Sequence, residues 1–123
     1  MSKRISQSSL KAPSFKRSDC PLACALDIVG DKWSLLIVRD LLFGRSRYSG
    51  FLDAGEGIPS NILASRLRSL EKAGLVRKMR DQAQPTHQAY QLTETGLDLS
   101  AVIVALVHWS RINIPGTRPS QIG

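Results

Sequence analysis

The stretch from Ile58 to Val76 constrains this chain more than any other. Within it Leu63, Leu67 and Leu70 recur at i, i+4 and i+7, which lines them along one side of an α-helix. Ser60, Asn61, Ala64, Ser65, Arg68 and Lys72 then fall on or near the other side, which is short, polar and basic. Gly74 stops the helix, and Leu75-Val76 begins an extended segment. A helix with one apolar side, one basic side and a strand directly after it has the pattern of a recognition helix feeding a wing. An ordinary amphipathic surface helix satisfies the same spacing, so the flanking chain has to decide.

Upstream, Cys20-Pro21 opens the folded part, because proline is tolerated at the first helical position. The expected helix has Cys20 at its cap, Leu22, Leu26 and Val29 as its apolar stripe, and Gly30 at its end. Asp31 caps a second helix. There Trp33, Leu35, Leu36, Ile37, Val38, Leu41, Leu42 and Phe43 leave hardly any polar side, which predicts the buried centre of the domain before Gly44 ends it. Ser46 to Ala54 predicts a short third helix with Tyr48, Phe51 and Leu52 facing inward. Gly50 within it costs about 1 kcal/mol relative to alanine. Gly55-Glu56-Gly57 is a turn. From Ser46 to Ala73 the pattern is thus helix, glycine-containing turn and basic helix, a helix-turn-helix.

Downstream, Leu75 to Arg80 predicts a strand with Val76, and the stem of Lys78, on the sheet face. Asp81 to Thr86 is polar, contains Pro85 and makes a hairpin tip, and the alternation of Gln88 to Leu92 pairs a second strand back. Thr93 caps a last helix carrying Leu97, Leu99, Val102, Ile103, Leu106, Val107 and Trp109, too apolar for a free surface. The fold class expected is mainly α (α+β): a winged helix-turn-helix with a two-stranded hairpin wing and an extra helix at each end for dimerisation. Its expected bounds are 20–112. The segment 1–19, serine-rich with three lysines and two arginines, and the segment 113–123 are expected to be flexible tails.

Composition narrows the function. A chain of 123 residues with 42% hydrophobic content is one globular domain, and its formal charge of +7 favours a polyanion as partner. Between Gly44 and Arg80 eight basic residues face three acidic ones, so the charge gathers on the middle of the chain. No apolar run approaches a membrane span and no charged-then-apolar leader opens the chain, which predicts a soluble intracellular protein with no membrane partner. Cys20 and Cys24 are too few for a disulfide framework and lack a second pair for a zinc site. His87 and His108 are isolated, no phosphate-binding glycine loop is present, and neither an enzyme nor a cofactor or metal is expected.

Three separated blocks resemble the HxlR-type transcriptional regulators. The first runs from Cys20-Pro21-Leu22 through Ala25 to Trp33 and on to Arg39-Asp40-Leu41. The second runs from Gly57 to Ala64 and includes Arg66-Leu67, Leu70-Glu71 and Gly74 to Val76. The third is Tyr90 to Thr93 with Gly96 and Leu99. Together they cover about residues 20 to 110, in the family's order. The resemblance implies a bacterial DNA-binding regulator acting as a homodimer through its first and last helices. Leu22, Leu26, Val102, Leu106 and Trp109 are the candidate interface. It also implies redox sensing, because members that respond to oxidants or electrophiles use a cysteine at the position of Cys20. Two positions depart from the family: Gly50 replaces a usual acidic residue, and His87 replaces an arginine of the wing.

A recognition helix in a major groove presents its N-terminal side chains to base edges. Ser60 and Asn61 are therefore the candidate base readers, with Ala64 allowing close approach or meeting a thymine methyl. Capping of the helix is the competing use of Asn61. Arg68 and Lys72 lie farther along and suit phosphates, as do Arg45, Arg47, Lys78 and Arg80 with wing residues Gln82, Gln84 and His87. Arg66 is equally suited to pairing with Glu71 or with a carboxylate on a neighbouring helix. Cys20, at a helix N-terminus where amides and dipole favour a thiolate, is the candidate redox sensor and Cys24 its resolving partner; structural thiols are the alternative. A cytoplasmic repressor on palindromic operators, responsive to a small molecule or oxidant, is the function expected. A winged-helix module binding RNA or a protein is the rival.

Overall fold

A computed structural model describes residues 18–117. Most of the expected N-terminal tail, and residues 118–123 of the C-terminal one, lie outside the described residues. The elements follow the order α1 Pro21–Val29, α2 Ser34–Leu42, α3 Tyr48–Leu52, α4 Ser60–Lys72, β1 Val76–Arg80, β2 Gln88–Leu92, α5 Glu94–Leu97 and α6 Leu99–Asn113. The two strands pair antiparallel in the register Val76 with Leu92 to Arg80 with Gln88. This is a helical domain with a hairpin wing, as the sequence predicts.

Trp33 holds the cap position of the second helix, but the Asp31 side chain satisfies the amides at its head. Its Oδ2 accepts from the amides of Trp33 and Ser34 at 3.0 Å each, and its Oδ1 from the Ser34 hydroxyl at 2.5 Å. Burial pulls its carboxyl upward, but those hydrogen bonds and Arg66, 3.6 Å away, outweigh the burial and hold it below the ordinary value. A carboxylate depressed in this way stabilises the fold above its unfolded value, and that contribution is lost as pH falls through the folded one. Arg66 therefore pairs with the carboxylate at the head of α2, tying α4 to it, and not with Glu71.

Leu63, Leu67 and Leu70 of α4 are buried, together with Val29, Ile37, Val38, Phe51, Leu75, Val76, Leu92 and Ile103. α2 lies at the centre with Ile37 and Val38 enclosed, but Phe43 at its end is 50% exposed and the polar Ser34 and Asp40 are buried. Burial pushes the Asp40 carboxyl up, against the pull of Arg39 and then Arg45. Arg39 also reaches Glu56 at 3.1 Å, which fastens α2 to the turn ahead of α4.

Three local expectations need correction. First, α3 begins at Tyr48, because Arg47 before it is extended and the Ser46 carbonyl accepts the amide of Tyr90 in β2 at 2.8 Å. Only Phe51 of α3 is fully buried; Tyr48 is half-buried against the core and Leu52 is exposed. Leu22 of the α1 stripe is 66% and Leu26 52% exposed, while Val29 is buried. Second, Lys78 is exposed although it shares the face of Val76, because the wing has left the core by that point. Third, the last helix is two, broken at Asp98.

That break sits at a tight junction. Thr93 caps α5, accepting from Gly96 at 3.1 Å while donating to the Gly74 carbonyl at 2.6 Å, and its amide bonds Leu75. A Cβ on Gly96 would lie 2.1 Å from the Leu75 carbonyl oxygen, so only glycine fits there. Gly74 itself has φ +88°, the left-handed conformation that turns α4 into β1. Beyond the junction, the helical run Glu94–Asn113 has 20 residues and a mean hydropathy of 1.2, enough by length and composition to cross a membrane. That exceeds what the residue pattern predicts. One side of the run docks on the core through Ile103, with Leu99 and Val107 beside it.

Candidate nucleic-acid interface

Burying Leu63, Leu67 and Leu70 turns the opposite side of α4 to solvent. Ser60, Asn61, Arg68 and Lys72 are exposed there, and Ala64 and Ser65 are half-buried. From Asn61 to Lys72 the helix rises about 16 Å, longer than the ~12 Å width of a B-DNA major groove. One end can therefore meet bases while the other meets a phosphate strand. Pro59 is the helix cap and makes no side-chain capping bond, so Asn61 is not used as the cap.

The wing continues this surface. Period-2 alternation puts Val76, Lys78 and Arg80 on one face of β1, opposite Leu92, Tyr90 and Gln88. That face is anchored where Tyr90 meets Phe51 of α3 edge-on, with ring centroids 6.2 Å apart. At the tip, Asp81 accepts from Arg47 at 2.6 Å and from the Gln84 amide at 2.9 Å, and its amide bonds the His87 carbonyl at 2.9 Å. The Arg47 guanidinium, followed by the Gln84 amide, holds the Asp81 carboxyl below its ordinary value. Gln82, Gln84 and His87 are exposed around this closed tip.

The cations divide into two groups. Arg47 is paired with Asp81. Arg45 donates to the Gly50 carbonyl at 3.2 Å and lies 3.9 Å from Asp40, while Arg80 donates to the Pro85 carbonyl at 3.2 Å. Arg68, Lys72 and Lys78 are exposed and, among the described residues, make no ion pair. Opposite charges near α3 thus set the scaffold, and the unpaired ones lie on α4 and the wing. Residue spacing alone misses two of these partners, Asp81 and the phenol of Tyr48, which contacts Ser60. The only sequence signal for Tyr48 is a polar-tipped aromatic at a position expected to face inward.

Cys20 and Cys24 are free thiols at the opposite end of the chain. Cys20 is exposed at the cap of α1, and half-buried Cys24, one turn on, donates to the Ser18 carbonyl at 3.2 Å. Leu22 and Leu26 lie exposed beside them. On α6, Val102, Leu106 and Trp109 share a second exposed apolar side.

Residues 28–117 match the model of the HxlR-like helix-turn-helix family. An uncharacterised HTH-type transcriptional regulator of Mycobacterium tuberculosis is 43% identical over 91 residues, which are 74% of this chain and 57% of that protein. The match therefore spans less than two thirds of that relative's length. Among solved structures, PA1607, a candidate transcription factor, is 36% identical with a TM-score of 0.77, covering 85% of this chain and 73% of that one. The oxidised redox regulator HypR is 27% identical with a TM-score of 0.68, covering 82% of this chain and all of that one. The winged architecture and the match together settle the assignment: the chain belongs to the HxlR-like helix-turn-helix family of transcriptional regulators.

Proposed function

We propose that this protein is a sequence-specific DNA-binding repressor of the bacterial cytoplasm, acting as a homodimer on palindromic operators through its 20–112 domain. The observation that carries this reading is the exposed side of α4, where Asn61 precedes the unpaired cations Arg68 and Lys72. A dimer would set two such helices about 34 Å apart, one helical turn of duplex, which is the reason for a palindrome. Lying across promoter DNA is enough to repress, so binding and not catalysis is the activity proposed. Arg45 and Arg47 take supporting places in it, since each already holds a protein partner, and Lys78, Arg80, Gln84 and His87 form the wing's contribution.

Selection of binders from random duplexes, followed by titration on selected and scrambled sequences at several salt concentrations, tests the proposal. Asn61→Ala is expected to weaken the selected duplex by about five- to a hundredfold and relax its base preference. Lys72→Ala is expected to weaken both duplexes alike and lower the salt slope by about one. Equal loss on both duplexes for Asn61→Ala would remove that residue from base reading. A monomeric protein indifferent to duplex DNA is the result the RNA- or protein-binding rival requires.

Redox control of the same dimer is supported by the exposed Cys20 at the head of α1, within one turn of Cys24 and beside Leu22 and Leu26, and by the likeness to HypR. An oxidant that modifies Cys20 would act at the proposed subunit contact. Cys20→Ser is expected to bind operator DNA as the wild type does and to stay bound when a thiol oxidant releases the wild type. Unchanged release from the variant would exclude Cys20 as the sensor.

A further inference from the structure

The base-reading end of α4 carries a hydrogen-bond arrangement whose protons can be assigned by counting. Tyr48 Oη lies 2.5 Å from the carbonyl oxygen of Ser60 and 2.8 Å from Ser60 Oγ. A carbonyl only accepts, and a phenol carries one proton, so that proton belongs to the Ser60 carbonyl. The contact between the two hydroxyl oxygens then needs the serine proton: Ser60 Oγ donates to Tyr48 Oη. Both protons are committed inside the protein. Ser60 is the exposed first residue of α4, Pro59 occupies the cap, and the Ser60 hydroxyl contacts Tyr48 Oη. What Ser60 offers outward is lone pairs and no donor.

Base edges in the major groove distinguish these cases. Adenine N6 and cytosine N4 are donors, whereas guanine O6 and N7 and thymine O4 accept. A free serine hydroxyl serves either kind by rotating, but one held by Tyr48 serves only the donors. We propose that Tyr48 is a specificity-determining positioning residue: it fixes the Ser60 hydroxyl as an acceptor, so that α4 selects adenine or cytosine at the base Ser60 faces. This rests on the proposal above that α4 lies in a major groove. It assigns Tyr48, on a different helix, a part in base choice.

The experiment compares four duplexes that differ only at the base facing Ser60, located as the position of the selected motif that Ser60→Ala alters. The wild type is expected to favour adenine or cytosine there by about threefold to tenfold, the worth of one hydrogen bond. Tyr48→Phe keeps the ring and returns the proton to Ser60. Its preference at that position is expected to shrink below about twofold, while the preference at the base facing Asn61 and the thermal midpoint are kept. Ser60→Thr, which retains a hydroxyl at the same place, is expected to keep the wild-type preference. If Tyr48→Phe lowers affinity equally on all four duplexes and leaves the preference intact, Tyr48 only staples α3 to α4 and the inference is wrong. A selected motif that Ser60→Ala leaves unchanged also overturns it, yet leaves DNA reading by α4 standing. Failure of the wild type to select any motif overturns that underlying reading as well.

Discussion

Trp109→Glu combined with Leu106→Glu is expected to convert a dimer into a monomer and to weaken operator binding by about a hundredfold or more. Val102, Leu106 and Trp109 follow one another at i, i+4 and i+7 of α6, on a side that the core leaves uncovered. Trp109 alone is 58% exposed, so over half of the roughly 150–250 Å² that an aromatic of that size can bury is still open to a contact. Leu22 and Leu26 on α1 add to the uncovered apolar area. Two carboxylates placed on this side would have to be stripped of water whenever two copies met, a cost that apolar contact does not offset. Each half-site would then be held by one protomer, without the second contact that a palindrome supplies. Sedimentation velocity alongside duplex titration reads both effects. A wild-type monomer, or a double variant that still dimerises, would refute this use of α6.

Leu67→Ala is expected to cost about 2–5 kcal/mol of folding stability, read as a lowered denaturant midpoint. Leu67 is 2% exposed and lies between Leu63 and Leu70 in the cluster that seats α4. Removing its branched end leaves a void that enclosed neighbours fill only in part, so both the transfer of methyl groups and the cavity count. Its sequence neighbour provides the control. Arg68 points outward without an ion pair among the described residues, and Arg68→Ala is expected to change stability by less than about 0.5 kcal/mol while lowering affinity for duplexes of any sequence. Similar stability losses for the two variants would mean that Arg68 is packed as Leu67 is, and would refute this division of the helix.

Local patterns made much of this legible. The leucines of α4, the role of Asp31 at the head of α2, the two strands Val76 to Arg80 and Gln88 to Leu92, and the cap at Thr93 each follow from residues a few positions apart. The failures share a different physical origin. α3 starts late because Ser46 bonds Tyr90, 44 positions along the chain, which no window around Ser46 contains. The stripe of α1 says which residues share a side but not whether this chain or another copy covers it, and its leucines Leu22 and Leu26 are exposed. Charge counting likewise treats Arg47 and Lys72 as equivalent, although Asp81 neutralises one of them from the far end of β1. Asn61, Arg68 and Lys72 could be placed together from spacing alone. The link between Tyr48 and Ser60 could not, since it depends on how two helices cross.

The fit of Gly96 against the Leu75 carbonyl has a mechanical consequence. With Thr93 bonded to both Gly74 and Leu75, the end of α4, the root of the wing and the start of the α5–α6 pair form one stiff bracket, with no loop between them to act as a hinge. In the proposed homodimer, a change in how α6 crosses its counterpart, carried through the break at Asp98, would swing the recognition helix as a lever. For half-sites about 34 Å apart, a ten-degree tilt at the twofold axis displaces each helix by about 3 Å, nearly one base-pair step. If α6 is the subunit contact and α4 the DNA reader, as proposed, a small event at the far ends of the terminal helices would take both recognition helices out of register with their operator.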